Sequence, residues 1–359
     1  MMRVALDAMG GDHAPREIVA GAADAVRELG VEVILVGPGE RLNDELRHIP
    51  PPSRQSRLPF RGTHAAQPGP DALRIVDAPE VIGMAEAPAM ALRRKRRSSI
   101  SVALDLVRRG EADAMVSAGN TGAVMAAALL TLRSIEGIDR PAIAAVLPTL
   151  RGRALMLDAG ANVDCRPKHL LQFGVMGSVY AARVLGIESP RVGLLSNGEE
   201  DTKGNELVIR SAELLRRSGL RFIGNVEGRG VFAGAADVVV CDGFVGNVVL
   251  KFGEGLALGI FSLLREELSR GFLVRLGVAL ARPRLRALAL RLDHTEYGGA
   301  PLLGVDGICI VSHGSSKARA IRNAIALAAE SVRARMVEAI RADVARLAEL
   351  ALAQGFPAV

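Results

Sequence analysis

The 359-residue chain has no tryptophan, two tyrosines and nine phenylalanines, so aromatics make up only 3% of it. Single-strand nucleic-acid readers interleave stacking aromatics with basic side chains, and this scarcity argues against such a partner. Cysteine is equally sparse. Cys165, Cys241 and Cys309 are unpaired by spacing and each adjoins an apolar run, which fits buried thiols in a reducing cytosol better than disulfides or a zinc site. The opening MMRVALDAMGG enters a strand pattern directly, with no signal-peptide pattern. The longest uncharged stretch, 114–132, has the length of a membrane span, but Ser117, Gly119, Asn120, Thr121 and Gly122 interrupt it with groups that hydrocarbon does not tolerate. A soluble chain is expected. Neither a dinucleotide fingerprint nor a Walker loop occurs at a strand-to-helix turn, and the G-x-S-x-G serine elbow is missing.

What is present is an aliphatic chain, 49% hydrophobic, of the kind that buries parallel strands. Short apolar runs end repeatedly in polar, glycine-rich loops: VALDAMGGD, VEVILVGPG, DAMVSAGNTGA, ALMLDAGAN, VGLLSNGEE, FIGNVEG, DVVVCDGFVGN and ICIVSHGSS. Helical stretches such as 16–29, 170–185 and 206–218 lie between them. This alternation predicts an α/β sheet with helices on both faces, in which ligands sit beyond the carboxyl ends of the strands. The length exceeds what one core usually supports, so a single two-lobed catalytic domain over 1–359 is expected. Two regions break the pattern. Residues 50–71 carry six prolines and read as an irregular connection; residues 255–293 read as a helical excursion from the sheet. A long helix from Lys317 to about Gln354 is expected to close the chain.

The loops carry the chemistry. DAMGGDHAP places Asp7, Gly10, Gly11 and His13 after the first strand, a concentration of carboxylate, imidazole and bare backbone beyond what a turn requires. SAGNTGA places Asn120 and Thr121 at a strand-to-helix turn, where free N–H groups suit an anion. NGEEDTKGN puts Lys203 and Asn205 just before a helix, unless the lysine pairs with Glu199 or Glu200. Asn225 and Asn247 are read at the ends of two further strands. Lysine and asparagine supply fixed donors without becoming bases, which suits a phosphate or a developing oxyanion in acyl or phosphoryl transfer. Cys165 and Cys241 each neighbour an aspartate, which raises a thiol's pKa and weakens it as a nucleophile.

Ten ordered motifs, DAMGGDHAP, SAGNTGA, GIDRPAI, LDAGANVDC, LLQFGVMGSVYA, GEEDTKGN, GNVEGR, VVVCDGFVGN, YGGAPLLG and HGSS, closely resemble the bacterial phosphate acyltransferases over nearly the whole chain. The resemblance implies an α/β/α sandwich related to the isocitrate and isopropylmalate dehydrogenases and to phosphotransacetylases. It implies a homodimer, with no cofactor and no metal, that moves a fatty acyl group from acyl carrier protein to inorganic phosphate. The acyl phosphate would pass to a membrane glycerol-3-phosphate acyltransferase, which places the enzyme in the cytoplasm at the inner face of the membrane. On matching positions, Lys203, Asn225 and Asn247 would form the catalytic set, and Asp7, Gly10, Gly11, His13, Asn120, Thr121 and Asn162 would bind substrate. Gly230 departs from the family pattern, standing where an aspartate is common, and Gly83 and Ala85 lie in a stretch that is usually more acidic. A phosphotransacetylase-like enzyme using acyl-CoA, a silent membrane-surface scaffold and a metal-dependent decarboxylating dehydrogenase are the alternatives.

Basic residues exceed acidic ones by six, which favours acidic partners. The run Arg93, Arg94, Lys95, Arg96 and Arg97 is the expected docking patch for the carrier protein. In the excursion, Leu256, Ile260, Leu263 and Leu264 share one helical face, and Arg275, Arg282 and Arg286 share another on the next segment, which fits reversible membrane contact, dimer packing or an ordinary core helix.

Overall fold

The computed structural model describes residues 1–48, 72–292 and 298–356. The proline-rich stretch 50–71 and Asp293 lie outside them. In chain order the elements are β1 (Arg3–Asp7), α1 (Arg16–Leu29), β2 (Glu32–Gly37), α2 (Gly39–Arg47), β3 (Leu73–Asp77), α3 (Pro88–Arg94), α4 (Ser99–Arg108), β4 (Ala114–Ser117) and α5 (Thr121–Thr131). There follow β5 (Ala142–Thr149), β6 (Gly152–Leu157), α6 (Pro167–Arg183), β7 (Val192–Leu195), α7 (Glu206–Arg217), β8 (Phe222–Val226), α8 (Gly228–Ala233), β9 (Val238–Val240), α9 (Gly243–Leu268) and α10 (Phe272–Leu292). The chain closes with β10 (Ala300–Leu303), β11 (Ile308–Val311), α11 (Ala318–Arg333) and α12 (Met336–Gln354). These elements fall into two compact units, 1–141 with 297–345 and 142–296 with 346–359.

The first unit holds strands in the order β3-β2-β1-β4-β11-β10, parallel except for β10. Val4, Ala5 and Leu6 of β1 and Met115 and Val116 of β4 are fully buried, because helices cover both faces and leave no polar side to alternate with. Helix α1 buries Ile18, Val19, Ala22 and Val26 and packs on α11. The approach is close: a β-carbon on Gly21 would lie 2.5 Å from the carbonyl oxygen of Ala318. Glu17 then accepts a 2.9 Å hydrogen bond from the Ala318 N–H at the start of α11. The chain passes outward through β2 and β3 and returns to β4 on the other side of β1, so the strand order reverses between β1 and β4.

The second unit holds β5-β6-β9-β7-β8, with β5 antiparallel to β6 and the rest parallel. Here the order reverses at β7, which has β8 on one side and β9 on the other. Both units thus follow the expected α/β pattern, with an antiparallel strand added in each. The single helix expected over 317–354 is instead two, α11 and α12, broken at Ala334 and Arg335, the latter in a left-handed conformation (φ 50°). The excursion also begins earlier than Gly255. Asp242 accepts from the Val245 N–H at 2.8 Å and starts α9 at Gly243.

Candidate active site

In the first unit, the loops after β1 and β4 stand at the strand reversal, the position at which open α/β sheets bind ligands. Asp7 ends β1 and is buried; one carboxylate oxygen accepts from Ser117 Oγ at 2.6 Å and the other from the Met9 N–H at 3.2 Å. Burial pushes its pKa up, against the lowering effect of bonds from Ser117 and Ser99. Gly10 is obligatory here, since a β-carbon would lie 2.5 Å from Asp7 Oδ2 and 2.6 Å from the Gly119 nitrogen. Gly11 takes φ 103°, and the Asp12 N–H donates to the Gly314 carbonyl at 2.7 Å, tying the SHGSS loop to this one. His13 and Thr121 are exposed. Asn120 caps α5 by accepting from the Ala123 N–H at 3.0 Å, while its Nδ2 donates to the carbonyls of Met84 and Glu86. Its amide is therefore engaged in holding residues 84–86 against the helix.

In the second unit, all four loops beyond the parallel strand ends carry polar groups. Asp158 follows β6 and organises its loop: Oδ1 accepts from the N–H groups of Ile143, Gly160 and Ala161, and Oδ2 from Asn162 N at 2.6 Å and Asn162 Nδ2 at 2.9 Å. Burial raises the Asp158 pKa, with the bonds from Ala161, Asn162 and Ile143 opposing. The Asn162 carbonyl in turn accepts from Gly243 N at 2.7 Å, which docks the first turn of α9 on the loop. That contact needs small residues. A β-carbon on Gly246 would lie 1.9 Å from the Asp158 carbonyl oxygen, and Asn247 lies beside Gly160.

Lys203 and Asn247 are both exposed, and neither ammonium nor amide has a partner among the described residues. The pairing of Lys203 with Glu199 or Glu200 is not made. Asp201 instead pairs with Arg216. Asn205 caps α7 by accepting from the Val208 N–H at 3.0 Å. Asn247 is the fifth residue of α9, not at a strand end as expected, and Asn225 lies within β8. The β7–β8 register skips between Val192 and Leu194, with Gly224 at φ 92°, a bulge that re-aims the next side chain. Asn225 is thereby buried, donating from Nδ2 to the carbonyls of Glu200 at 2.9 Å and Lys203 at 3.4 Å. Its Oδ1 has no hydrogen-bond partner among the described residues. Both amide donors of Asn225 thus hold the lysine loop.

Cys241 is buried, and desolvation, followed by the charges of Asp242 and Asp158, pushes its thiol well above the ordinary value. Cys309 is pushed up to about 12 by burial alone. Gly230 sits inside α8, after Glu227 at its N-cap. Two residues that organise these loops, Asp158 and Ser117, were not singled out from the sequence. The signal for Asp158 was present: a carboxylate followed by small residues in DAGAN.

Of the basic run, Lys95 is committed to Glu86 at 2.5 Å and to the Val81 carbonyl at 2.7 Å. Arg97 lies 3.9 Å from Asp77, while Arg93, Arg94 and Arg96 make no ion pair among the described residues. Leu256, Ile260, Leu263 and Leu264 are 48–65% exposed on α9, a helix long and apolar enough by length and composition to cross a membrane. Arg275 and Arg282 are exposed on α10; the side chain of Arg286 lies outside the described residues.

The fatty acid synthesis protein family matches residues 2–339. A phosphate acyltransferase from Pelotomaculum thermopropionicum is 55% identical over 343 residues, covering 96% of this chain and 95% of that protein. Among solved structures, a phosphotransacetylase from Streptococcus pyogenes matches with a TM-score of 0.61 at 18% identity over 94% of each chain. A 4-hydroxythreonine-4-phosphate dehydrogenase from Klebsiella pneumoniae matches with a TM-score of 0.52 at 17% identity over 92% of this chain and 99% of that one. These two likenesses are of fold.

Proposed function

The chain belongs to the fatty acid synthesis protein family, and from that premise we propose that it is an acyltransferase moving a fatty acyl group from acyl carrier protein to inorganic phosphate. The observation that carries the reading is the contrast at the strand ends of the second unit. Cys241 is buried with a pKa held high, whereas Lys203 and Asn247 present donors that have no partner among the described residues. Such a set orients an external nucleophile; it does not make one.

In this mechanism an oxygen of hydrogen phosphate attacks the thioester carbonyl carbon. A C–O bond forms, the C–S bond breaks, and the proton from phosphate ends on the departing sulfur. Lys203 offsets the charge of phosphate. Asn247 donates to the carbonyl oxygen as it becomes an oxyanion, a type of contact worth roughly 3–4 kcal/mol to the transition state. Asn225 holds the lysine loop, and Asn162, fixed by Asp158, supports Asn247 through the first turn of α9. In the first unit, His13 and Thr121 are the exposed groups offered to a ligand, while Asp7, Gly10, Gly11 and Asn120 shape the loops that carry them. A thiolate leaves readily, so little general-acid help is required.

The bare apolar face of α9 supports peripheral contact with the inner face of the cell membrane, where a glycerol-3-phosphate acyltransferase consumes the acyl phosphate. Arg275 and Arg282 add about 1 kcal/mol each near anionic lipid, a weak contribution alone. A homodimer would present that face twice.

Purified protein with acyl-ACP, with and without phosphate, tests the reaction: phosphate-dependent acyl phosphate and free carrier thiol are expected, and Lys203→Ala should lower turnover at least 100-fold with the fold intact. Near-normal activity of that variant would remove Lys203 from the mechanism. An acyl-CoA substrate used as well as acyl-ACP would favour the phosphotransacetylase-like alternative.

A further inference from the structure

Helices α3, α4 and α5 of the first unit enclose an open groove of about 840 Å³. Leu92, Val102, Ala127 and Leu130 give it an apolar lining, and Leu130 is 76% exposed. Its rim carries Arg96, Arg97, Arg108 and Arg133 against a single carboxylate, Asp105. That carboxylate is already shared by Arg108 at 2.5 Å and Arg109 at 3.0 Å. Arg96 and Arg133 have no ionic partner among the described residues.

Arg133 is the informative residue. It follows α5 in a left-handed conformation, φ 67°, at the place where helices most cheaply end in glycine. A side chain is kept there against backbone preference, at a residue that lines the groove.

We propose that this groove docks one helix of the acidic carrier protein that brings the acyl thioester. The inference rests on the reading that the donor is carrier-bound. A concave apolar lining fits the apolar stripe of a helix, and the arginine rim fits flanking carboxylates. A flat lipid surface would call for protruding charges, whereas these surround a hollow. The groove also lies on the element that leads to the first unit's ligand loop. Leu130 is nine residues beyond Thr121 (130 − 121), about 14 Å along α5. A donor docked at that end must carry its thioester on an extended arm, which a carrier protein does and a short free thioester does not. Of the linear run 93–97, only Arg96 and Arg97 line the groove.

The test compares wild type with Arg133→Glu/Leu130→Ser, both outside the catalytic set. At low ionic strength KM for acyl carrier protein should rise at least tenfold with kcat unchanged. The KM for an acyl-pantetheine thioester and the Tm should not move. Raising salt from 50 to 300 mM should raise the wild-type carrier KM more than that of the variant. An unchanged carrier KM, or equal losses with both donors, would overturn the proposal. So would loss of binding to anionic phospholipid vesicles with carrier KM intact, which would assign the groove to a membrane. If wild type makes no acyl phosphate from either donor, the proposed function fails. Docking is then decided by fluorescence anisotropy of labelled carrier protein, where a tenfold weaker Kd for the variant sustains it and equal Kd values refute it.

Discussion

Replacing Gly246 by alanine introduces a single methyl group at the contact that sets Asn247. An ideal β-carbon there stands 1.9 Å from the Asp158 carbonyl oxygen and 3.0 Å from Cys241 Sγ. The first distance is roughly 1.5 Å short of a normal contact, and the obstacle is backbone, so no rotamer change relieves it. Either α9 or the Asp158 loop must move. Overpacking of this kind costs about 1–3 kcal/mol or more, and the helix propensity gained over glycine returns only about 1 kcal/mol. Taking the upper end of that range for a backbone clash, a net loss of about 2 kcal/mol is expected in urea unfolding. Displacing Asn247 by even 1 Å should lower kcat on the order of 100-fold. Gly253→Ala on the same helix is the internal control, because nothing lies within 4 Å of its added carbon. It should be neutral or stabilise by up to about 1 kcal/mol, with kcat unchanged. If Gly246→Ala matches Gly253→Ala in both stability and kcat, the packing of α9 on the Asp158 loop does not position Asn247.

Asn225→Asp keeps the shape of the side chain but sets a carboxylate against the Glu200 and Lys203 carbonyls. The KM for phosphate should rise at least tenfold, with recovery relative to wild type as falling pH returns a proton able to donate; a deficit independent of pH counts against the loop-holding role. Asp7 has a raised pKa, so its stabilising contribution is full below the ordinary carboxylate value of about 4 and is lost as pH rises through the higher folded value. Asp7→Asn, in which the Ser117 hydroxyl can turn to accept, should flatten that decline in urea titrations across pH 4–8. Asp237 shows the opposite sign. Burial pushes it up, but the hydrogen bonds from Arg191 outweigh burial and hold it low, so the stability it gives is present above about 4 and lost as pH falls below that value. Arg191→Gln should remove this acid-side loss, seen as a smaller drop in Tm between pH 5 and pH 3.

The parallel strands flanked by glycine-rich loops were legible because burial on both faces writes them as unbroken apolar runs. β5 and β10 were not: each carries a proline, Pro148 or Pro301, and each is antiparallel, outside the strand–loop–helix alternation. The break between α11 and α12 was invisible because no glycine or proline marks Ala334 or Arg335. Lys203 and Asn247 could be picked out as polar residues near strand ends. Asn225 could be picked out too, but its direction depends on the bulge at Gly224, and a bulge shows only once two strands are paired. Asp158 reaches back to Ile143 on a neighbouring strand, a relation that spacing does not reveal. The groove joins Arg96 to Arg133 across three helices, so a linear basic run captured only part of its rim.

The sheet of the first unit has a consequence for how the protein is made. β11 fills the place between β4 and β10, yet it is translated after every strand of the other unit. From Val240 to Val311 is 71 residues, about 4–14 s at ordinary elongation rates. During that interval on the ribosome, β4 offers an unpaired edge while the later-made sheet already has all its strands. Nascent chains halted in this window would therefore be the species that chaperones engage, and a stop codon ahead of residue 308 should yield an aggregating fragment with one finished sheet and one open one.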